Sequence, residues 1–506
     1  MSLLTTLARI EAVHAGKAQP LATVRHRYLS ERPLVLVLFT TAGEAGAPLG
    51  ALVGTERDAP RLLAVPQPRD RDLRFAFLAE LADVMLPYIE QYGEEDGGEG
   101  GGEGEEPCSD APQILVPNAP GVEYVRLLGR SMRFRRTAEQ DPEAPYPAPP
   151  RVPLLGRWLT HVGERARVPG ASLLLPMTHL LGRHWATGQS RLEDQHLGAL
   201  LAWIDPPPGT TGAAAALRAE TERGPDGLLR HPPAGPATDP VFDNKRLAPA
   251  ASRHDLARTA AQRSAAEEEI RELLASQLRP TWDAMWRGID LLRALPEGAR
   301  VADRWRRDRW SYTAHRDRIR AGEPPQPRRD DAVTAARKLA ARESALAQLD
   351  AQEALDDPLV MAERRLAGEA FAGEVTEVVM EYSEAKVPRP RPLVTVRTED
   401  APHLAEGVKL YRALPDGRAQ AGEFVSYGPD GAPTVRLTGG MGRGKVPEPG
   451  SVPEKGDRVC WTLFEHAPRG GPELPDPERT PWTHGGPPDP AAPPDAPDPV
   501  TAEDRL

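Results

Sequence analysis

Cysteine is nearly missing from this chain, with two residues, Cys108 and Cys460, among 506. They stand in segments of very different character, so neither a disulfide framework nor a Cys-based zinc site is available, and a reducing interior is the simpler setting. Long apolar runs are missing too. Nowhere do 18 apolar residues follow one another, which argues against a membrane-spanning helix. The start, MSLLTTLARIEAVHAGKAQP, has no basic stretch leading into an apolar core and a small-residue cleavage site, so secretion is not expected. Together these absences predict a cytoplasmic chain without a membrane partner.

What is abundant is Pro and Gly, 56 and 45 residues. They concentrate at 93–106, 141–153, 206–240 and after Pro468, which reads as linkers between compact units. At this length two or three domains are expected. The net charge of −11 argues against a chain that coats nucleic acid over its whole surface, but it hides an asymmetry. Acid gathers in the 93–106 loop and in the tail, whereas the window 300–342 holds thirteen Arg and Lys against six Asp and Glu. The boundaries that follow are an α/β domain over 1–140 with its acidic Gly/Glu loop, a helical segment and Pro/Gly-rich linker over 151–250, a helical stalk over 254–372, a small β-barrel over 373–466 and a disordered tail over 467–506. The fold class is α+β multidomain.

In the N-terminal third, PLVLVLFT, the turn-rich AGEAGAPLG and ALVGT predict a buried hairpin. Leu73, Phe75, Phe77, Leu78, Leu81, Val84, Met85 and Ile89 fall near helical spacing and predict a helix packed over it. Ile114 to Val116 reads as another buried strand, and VEYVRLLGRSM as a short helix after it. That order, with Asn118 ending a strand and Glu123 and Tyr124 opening a helix, resembles the ribonuclease-H-like 3′–5′ exonucleases. The resemblance implies metal ions held by carboxylates on the first strand, because hard cations need oxygen ligands. Leu34 to Thr41 contains no Asp or Glu, so a related fold here implies a degenerate site.

The middle segment carries His161, His179, His184 and His196, with Glu193, Asp194 and Asp205 nearby. Imidazole and carboxylate suit zinc or iron, yet the spacings match neither H-E-x-x-H nor a paired H-x₃₋₅-H, and surface or core histidines are the plainer reading. LEDQHLGALLAWI reads as a helix stopped by Asp205-Pro206-Pro207. The Ala-, Pro- and Gly-rich 209–249 stretch reads as a crossing linker docked by Val241, Phe242 and Leu247.

From His254 the pattern turns helical. HDLARTAAQRSAAEEEIRELLASQL predicts a long helix, Pro280 and Pro296 punctuate the next piece, and Trp282, Met285, Trp286, Ile289 and Leu292 form a core face. In VADRWRRDRWSYTAHRDRIR, Trp305, Trp310 and Tyr312 alternate with arginines. Phosphate neutralisation and base stacking require that mixture, whereas mixed-sign helices also serve as solvated faces. At Gly373 the period becomes alternating, and six short β segments separated by turns such as Asp416-Gly417 and Asp430-Gly431 predict a small barrel. Within it GGMGRGKV nearly spells a phosphate loop, but Val446 replaces the magnesium-holding hydroxyl and Pro447 and Pro449 stand where the capping helix would start. A basic loop carrying Arg443 and Lys445 is the reading.

A helical arm entering a barrel through AFAGEVTEVVMEYS, with GVKLYRA, GEFVSYG, TVRLTGG and EKGDRVCWTLF as strands, resembles the stalk-and-barrel accessory region of superfamily 1 RNA/DNA helicases of the nonsense-decay type, over about 262–464. In that family an ATPase core follows; here a Pro/Asp-rich tail does, which lacks the apolar surface to fold. The resemblance therefore implies a non-catalytic nucleic-acid-binding or helicase-accessory protein, needing no cofactor and working with single-stranded nucleic acid and a separate ATPase chain. The candidate contacts are Arg304, Arg306, Arg307, Arg309, Trp310, Arg316, Arg318, Arg320, Arg443 and Lys445. A protein-interaction scaffold is the alternative, and a metal-dependent hydrolase or nuclease, built around His179, His184 and Asp194, is the third.

Overall fold

The computed structural model describes residues 3–44, 46–93, 106–330 and 332–468. The 94–105 part of the acidic loop and the tail beyond residue 468 lie outside them. The chain divides into two compact units, one of residues 7–21 and 25–338, the other of residues 3–6, 22–24 and 339–468 among those described. Among the described residues no helix is long and apolar enough to cross a membrane.

The larger unit is built on a five-stranded mixed sheet: β1 (Leu34–Thr40), β2 (Pro48–Gly54), β3 (Arg61–Ala64), β4 (Ile114–Val116) and β5 (Leu174–Pro176), in the order β3-β2-β1-β4-β5. The first three are antiparallel, and β4 and β5 run parallel to β1. The expected hairpin is therefore present, and it is flanked by two strands that the sequence did not announce, β3 and β5. Every residue of β1 is buried. Its side chains alternate, as the pleat requires: Val35, Val37 and Phe39 enter one apolar cluster, Leu34, Leu36 and Leu38 the other.

Both clusters are completed by helices that the sequence reading assigned to a stalk. The helix Ala260–Arg293 brings Ile270, Leu274, Leu278, Trp282, Met285 and Ile289 to the first face, and Val301–Arg320 brings Trp305 and Tyr312 to the second, beside the Arg71–Glu90 helix. The apolar stripes read from the sequence are real, but they face a sheet rather than one another, so these two helices are walls of the sheet unit and not an arm. Ala260–Arg293 starts on a capping box made by Thr259 and Gln262 and continues through Pro280 as one helix. The linker also proves more structured than its composition suggests: Gly212–Thr221 is a helix capped by Thr211, and Phe242 and Leu247 anchor the following stretch in the first core.

The smaller unit holds the end of the helix Ala332–Asp356, the helix Pro358–Leu366 and a closed six-stranded barrel. The strands are β6 (Ala370–Val379), β7 (Leu393–Thr398), β8 (Lys409–Ala413), β9 (Ala419–Tyr427), β10 (Pro433–Leu437) and β11 (Arg458–Thr462), in the order β8-β9-β10-β7-β6-β11. This is the barrel that the alternating segments predicted. Phe371, Val394, Leu410, Phe424, Val435 and Trp461 fill it, each fully buried apolar side chain contributing about 1.5–3 kcal/mol. The fully buried Asp357 caps Pro358–Leu366 through Leu359 N (2.9 Å) and accepts from Thr23 N (2.6 Å) and the Thr23 hydroxyl (2.9 Å), which fastens residues 22–24 to this unit. Closure is thin: β8 and β11 meet at one register pair, Tyr411 with Thr462, against five between β8 and β9.

Candidate functional site

In an open α/β sheet, ligands bind outside the carboxyl ends of the strands where the strand order reverses. Here that place lies between β1 and β4, beyond Thr40 and Asn118. It is filled by the chain itself. Thr40 N donates to Pro236 O (2.8 Å) and Thr238 N to Thr40 O (3.1 Å), so residues 236–238 run against the end of β1. Asn118 caps the Ala119–Met132 helix through Gly121 N (3.1 Å) and donates its amide to Gly235 O (2.9 Å). Gly235, at φ +86°, lies so close that a Cβ there would meet Leu38 O at 2.9 Å. Asp243, a carboxylate of the filling segment, accepts from the Thr238 hydroxyl (2.6 Å) and Ala42 N (2.9 Å). Filling, capping and turn-making account for the polar groups at this crevice.

The histidines and carboxylates of the middle segment do not converge. His161 stacks flat on His315, ring centroids 4.1 Å apart. His184 is buried with Nδ1 against Leu180 O (2.7 Å), and His196 caps the Leu197–Ile204 helix through Ala199 N (3.2 Å), while His179 is exposed. Asp205 pairs with Arg287 (2.7 Å), and Glu193 accepts from Ser190 N (2.7 Å). Burial pushes the Asp194 carboxyl up to about 6, although the Thr187 hydroxyl at 2.8 Å and the Arg9 guanidinium at 3.9 Å oppose the shift. Among the described residues no group of three or more His, Cys, Asp and Glu is placed to hold a metal ion.

The arginine-rich helix Val301–Arg320 spends most of its cations on its own unit. Arg304 is buried and donates to His26 O (3.1 Å). Arg309 reaches Ser109 O (2.7 Å) and Cys108 O (3.3 Å), Arg316 pairs with Asp317 (2.9 Å) and touches Cys108 Sγ (2.8 Å), and Arg320 donates to Gly93 O (3.2 Å). Arg307 is half-buried, and burial together with the nearby Arg165 lowers its pKa. Asp308, fully buried, accepts from Arg165 (2.8 Å) and Ser172 N (2.6 Å); burial still raises its pKa against those partners. Of the candidate residues on this helix, Arg306, Trp310, Arg318 and Arg320 are exposed, and Arg306 faces Glu106 at 3.4 Å. Trp305 is not available for stacking on a base, because it lies 4.0 Å from the Tyr28 ring and donates to Asp110 (2.8 Å).

Arg443 and Lys445 are exposed on the loop between β10 and β11, which Met441 anchors in the barrel core. A strand follows this loop and no helix does, so it lacks the helix N-terminus that a phosphate loop uses. The barrel register adds a feature that the sequence reading missed. Val379 pairs with Leu393, Arg436 with Leu393, Gly422 with Leu437 and Ala413 with Ala419. Loops 380–392, 414–418 and 438–457 therefore all leave from one end of the barrel. The three loops carry seven cations, Lys386, Arg389, Arg391, Arg418, Arg443, Lys445 and Lys455, against six acids, Glu381, Glu384, Asp416, Glu448, Glu454 and Asp457, together with the exposed Tyr382. Loops 399–408 and 428–432, at the other end, carry Glu399, Asp400, Glu406 and Asp430 and no Lys or Arg. Three of the six acids at the cation-bearing end face arginines: Arg418 holds Asp416 (2.6 Å) and Glu448 (3.4 Å), and Arg436 faces Glu381 at 3.8 Å. The three loops share an end because every ladder of the barrel is antiparallel, so alternate connections leave on the same side, and that follows only from the register.

Comparison with protein-family models, with curated proteins and with solved structures finds no match to this chain.

Proposed function

We propose that this protein is a non-catalytic nucleic-acid-binding accessory subunit that grips the backbone of a single strand with the cation-bearing end of its barrel and works beside a separately encoded ATPase. The observation that carries this reading is the polarity of the barrel. Seven cations, Lys386, Arg389, Arg443 and Lys445 among them exposed, and an exposed tyrosine stand on three loops at one end beside six acids, three of which face arginines, while the loops at the other end carry acids and no Lys or Arg. Cations that neutralise phosphates next to an aromatic ring on which a base stacks are what a sequence-tolerant single-strand site needs. The helix Val301–Arg320 plays the smaller part in this reading, through its exposed Arg306, Trp310, Arg318 and Arg320.

The sheet order β3-β2-β1-β4-β5, with β2 antiparallel and β4 and β5 parallel to β1, supports a ribonuclease-H-like ancestry for the larger unit. A first strand without carboxylates and a crevice filled by residues 235–243 support a structural rather than hydrolytic role for it. The experiment is a fluorescence-anisotropy titration of the full chain with single-stranded oligonucleotides across a salt series. Affinity should fall steeply with salt, and R389E/R443E/K445E should abolish binding while R306E reduces it partially. Binding that ignores salt, or that survives the triple reversal, refutes the barrel-end reading. The scaffold alternative rests on the internal use of Arg304, Arg309, Arg316 and Arg320, and predicts a stoichiometric protein partner without nucleic acid.

A further inference from the structure

Away from the barrel and the sheet crevice, the larger unit has an open cleft of about 930 Å³ between the helices Leu197–Ile204, Gly212–Thr221 and Ala260–Arg293. That is the size of a small-molecule site, about 300–1,000 Å³. Its floor exists because the facing side chains are small: Ala215 and Ala219 of the Ala-rich Gly212–Thr221 helix are buried there. Around it stand four arginines from three different stretches of chain, Arg218, Arg230, Arg279 and Arg287. Arg230 pairs with Glu222 (3.2 Å), Arg279 with Asp283 (3.3 Å) and Arg287 with Asp205 (2.7 Å), all between half-exposed groups, whereas Arg218 is bonded to the Thr210 hydroxyl (3.1 Å). Ion pairs this exposed hold weakly, and guanidinium forks exchange one carboxylate for another oxyanion at little cost.

The second observation is a backbone one. Pro280 sits inside the long helix and lines the cleft, as does Ser276 four residues before it. Proline has no N–H, so the Ser276 carbonyl loses the donor that a regular helix would supply. An acceptor without its regular ladder donor thus belongs to a residue that lines the cleft, beside four guanidiniums and the carboxylates of Asp205, Glu222 and Asp283. We propose that this cleft binds a small organic oxyanion, phosphorylated or carboxylated, that also carries an N–H or O–H donor for the Ser276 carbonyl. The arginines hold the anionic groups, and the gap in the helix ladder reads the donor. The site shares no residue with the barrel end.

The test is isothermal titration of the full chain with three probes: pyrophosphate, which supplies phosphate without an organic donor, citrate, which supplies carboxylates and a hydroxyl, and adenosine monophosphate, which supplies phosphate and N–H donors. Saturable binding of citrate or adenosine monophosphate is expected, and which of the two binds tells the carboxylate source from the phosphate source. R218A/R279A should weaken it about tenfold or more, as loss of charged hydrogen bonds does. P280A restores the missing N–H. It should raise the melting temperature, since proline disfavours a helix interior, and at the same time weaken the donor-bearing probe while leaving any pyrophosphate binding unchanged. Because that variant is expected to be more stable, its loss of binding is not a folding defect. The R389E/R443E/K445E variant should bind these probes as the wild type does, so failure of this site and failure of the barrel-end reading are separable. Absence of binding to all three probes, or binding that R218A/R279A leaves intact, overturns the proposal.

Discussion

Arginine is used in opposite ways in the two places where it is most conspicuous. In the helix Val301–Arg320 the side chains are rotated by the helical repeat toward a packed sheet unit, and Arg304, Arg309, Arg316 and Arg320 end on carbonyl oxygens, a carboxylate and a thiol of their own chain. At the barrel end Arg389, Arg443 and Lys445 stand on loops, and all three are exposed. Local density of positive charge is thus a poor guide to where a polyanion can be held. The backbone that carries a cation, and the groups within its reach, decide whether its charge is available.

The largest test of that contrast is D308A. It leaves Arg165 and Ser172 N facing a buried hole, and breaking a buried pair in this way costs about 3–5 kcal/mol; urea denaturation followed by circular dichroism should show it, and a loss below about 1 kcal/mol would mean that the helix is not held by its charges. Next comes acid. Burial, with the positive charges of Arg157 and Arg318, pushes His315 down to about 3, and burial with the neighbouring His315 holds His161 well below the usual imidazole range. Both histidines fold neutral, and the unfolded chain binds more protons. Stability is therefore complete above an ordinary histidine pKa of about 6.5 and falls as pH drops from there toward 3. Denaturation midpoints at stepped pH should decline across that window, and H315Q should shallow the decline.

A smaller difference separates two neighbours on one helix. R304A removes a buried donor from His26 O and should cost about 1–3 kcal/mol, whereas R306A should leave the denaturation midpoint where it was. Smallest in stability and sharpest in binding is R443A/K445A: the melting curve should not move, while the slope of log affinity against log salt for a single strand should shrink by about 1.4 if each residue meets one phosphate.

Much of the architecture could be read from the residues because long periodic signals survive any partner. Leu34 to Thr40 is apolar at every position but its last, which fits a strand covered on both faces, and the six alternating segments after Gly373 had room in them for nothing but a sheet. Shorter elements escaped: Arg61–Ala64 and Leu174–Pro176, at four and three residues, cannot display a period of two. The stripe through Ile270, Leu274 and Leu278 was visible, but a stripe does not name what it covers, and Pro280 suggested a break that the packing on Val35 and Phe39 overrode. The candidate contacts fared by the same logic. That Arg309 would end on Cys108 and Ser109, some 200 residues away, is a tertiary fact with no local trace. The clustering of Lys386 and Arg389 with Arg443 is another, and it follows only once the strand register is known.

The meeting of Lys409–Ala413 and Arg458–Thr462 at Tyr411 and Thr462 alone gives the barrel a preferred place to come apart. The cylinder is a curled ribbon fastened by one stitch. Undoing that stitch unrolls the sheet while every other ladder stays intact, so in heavy water the amides along those two facing edges should pick up deuterium well before those shared by Ala370–Val379 and Leu393–Thr398.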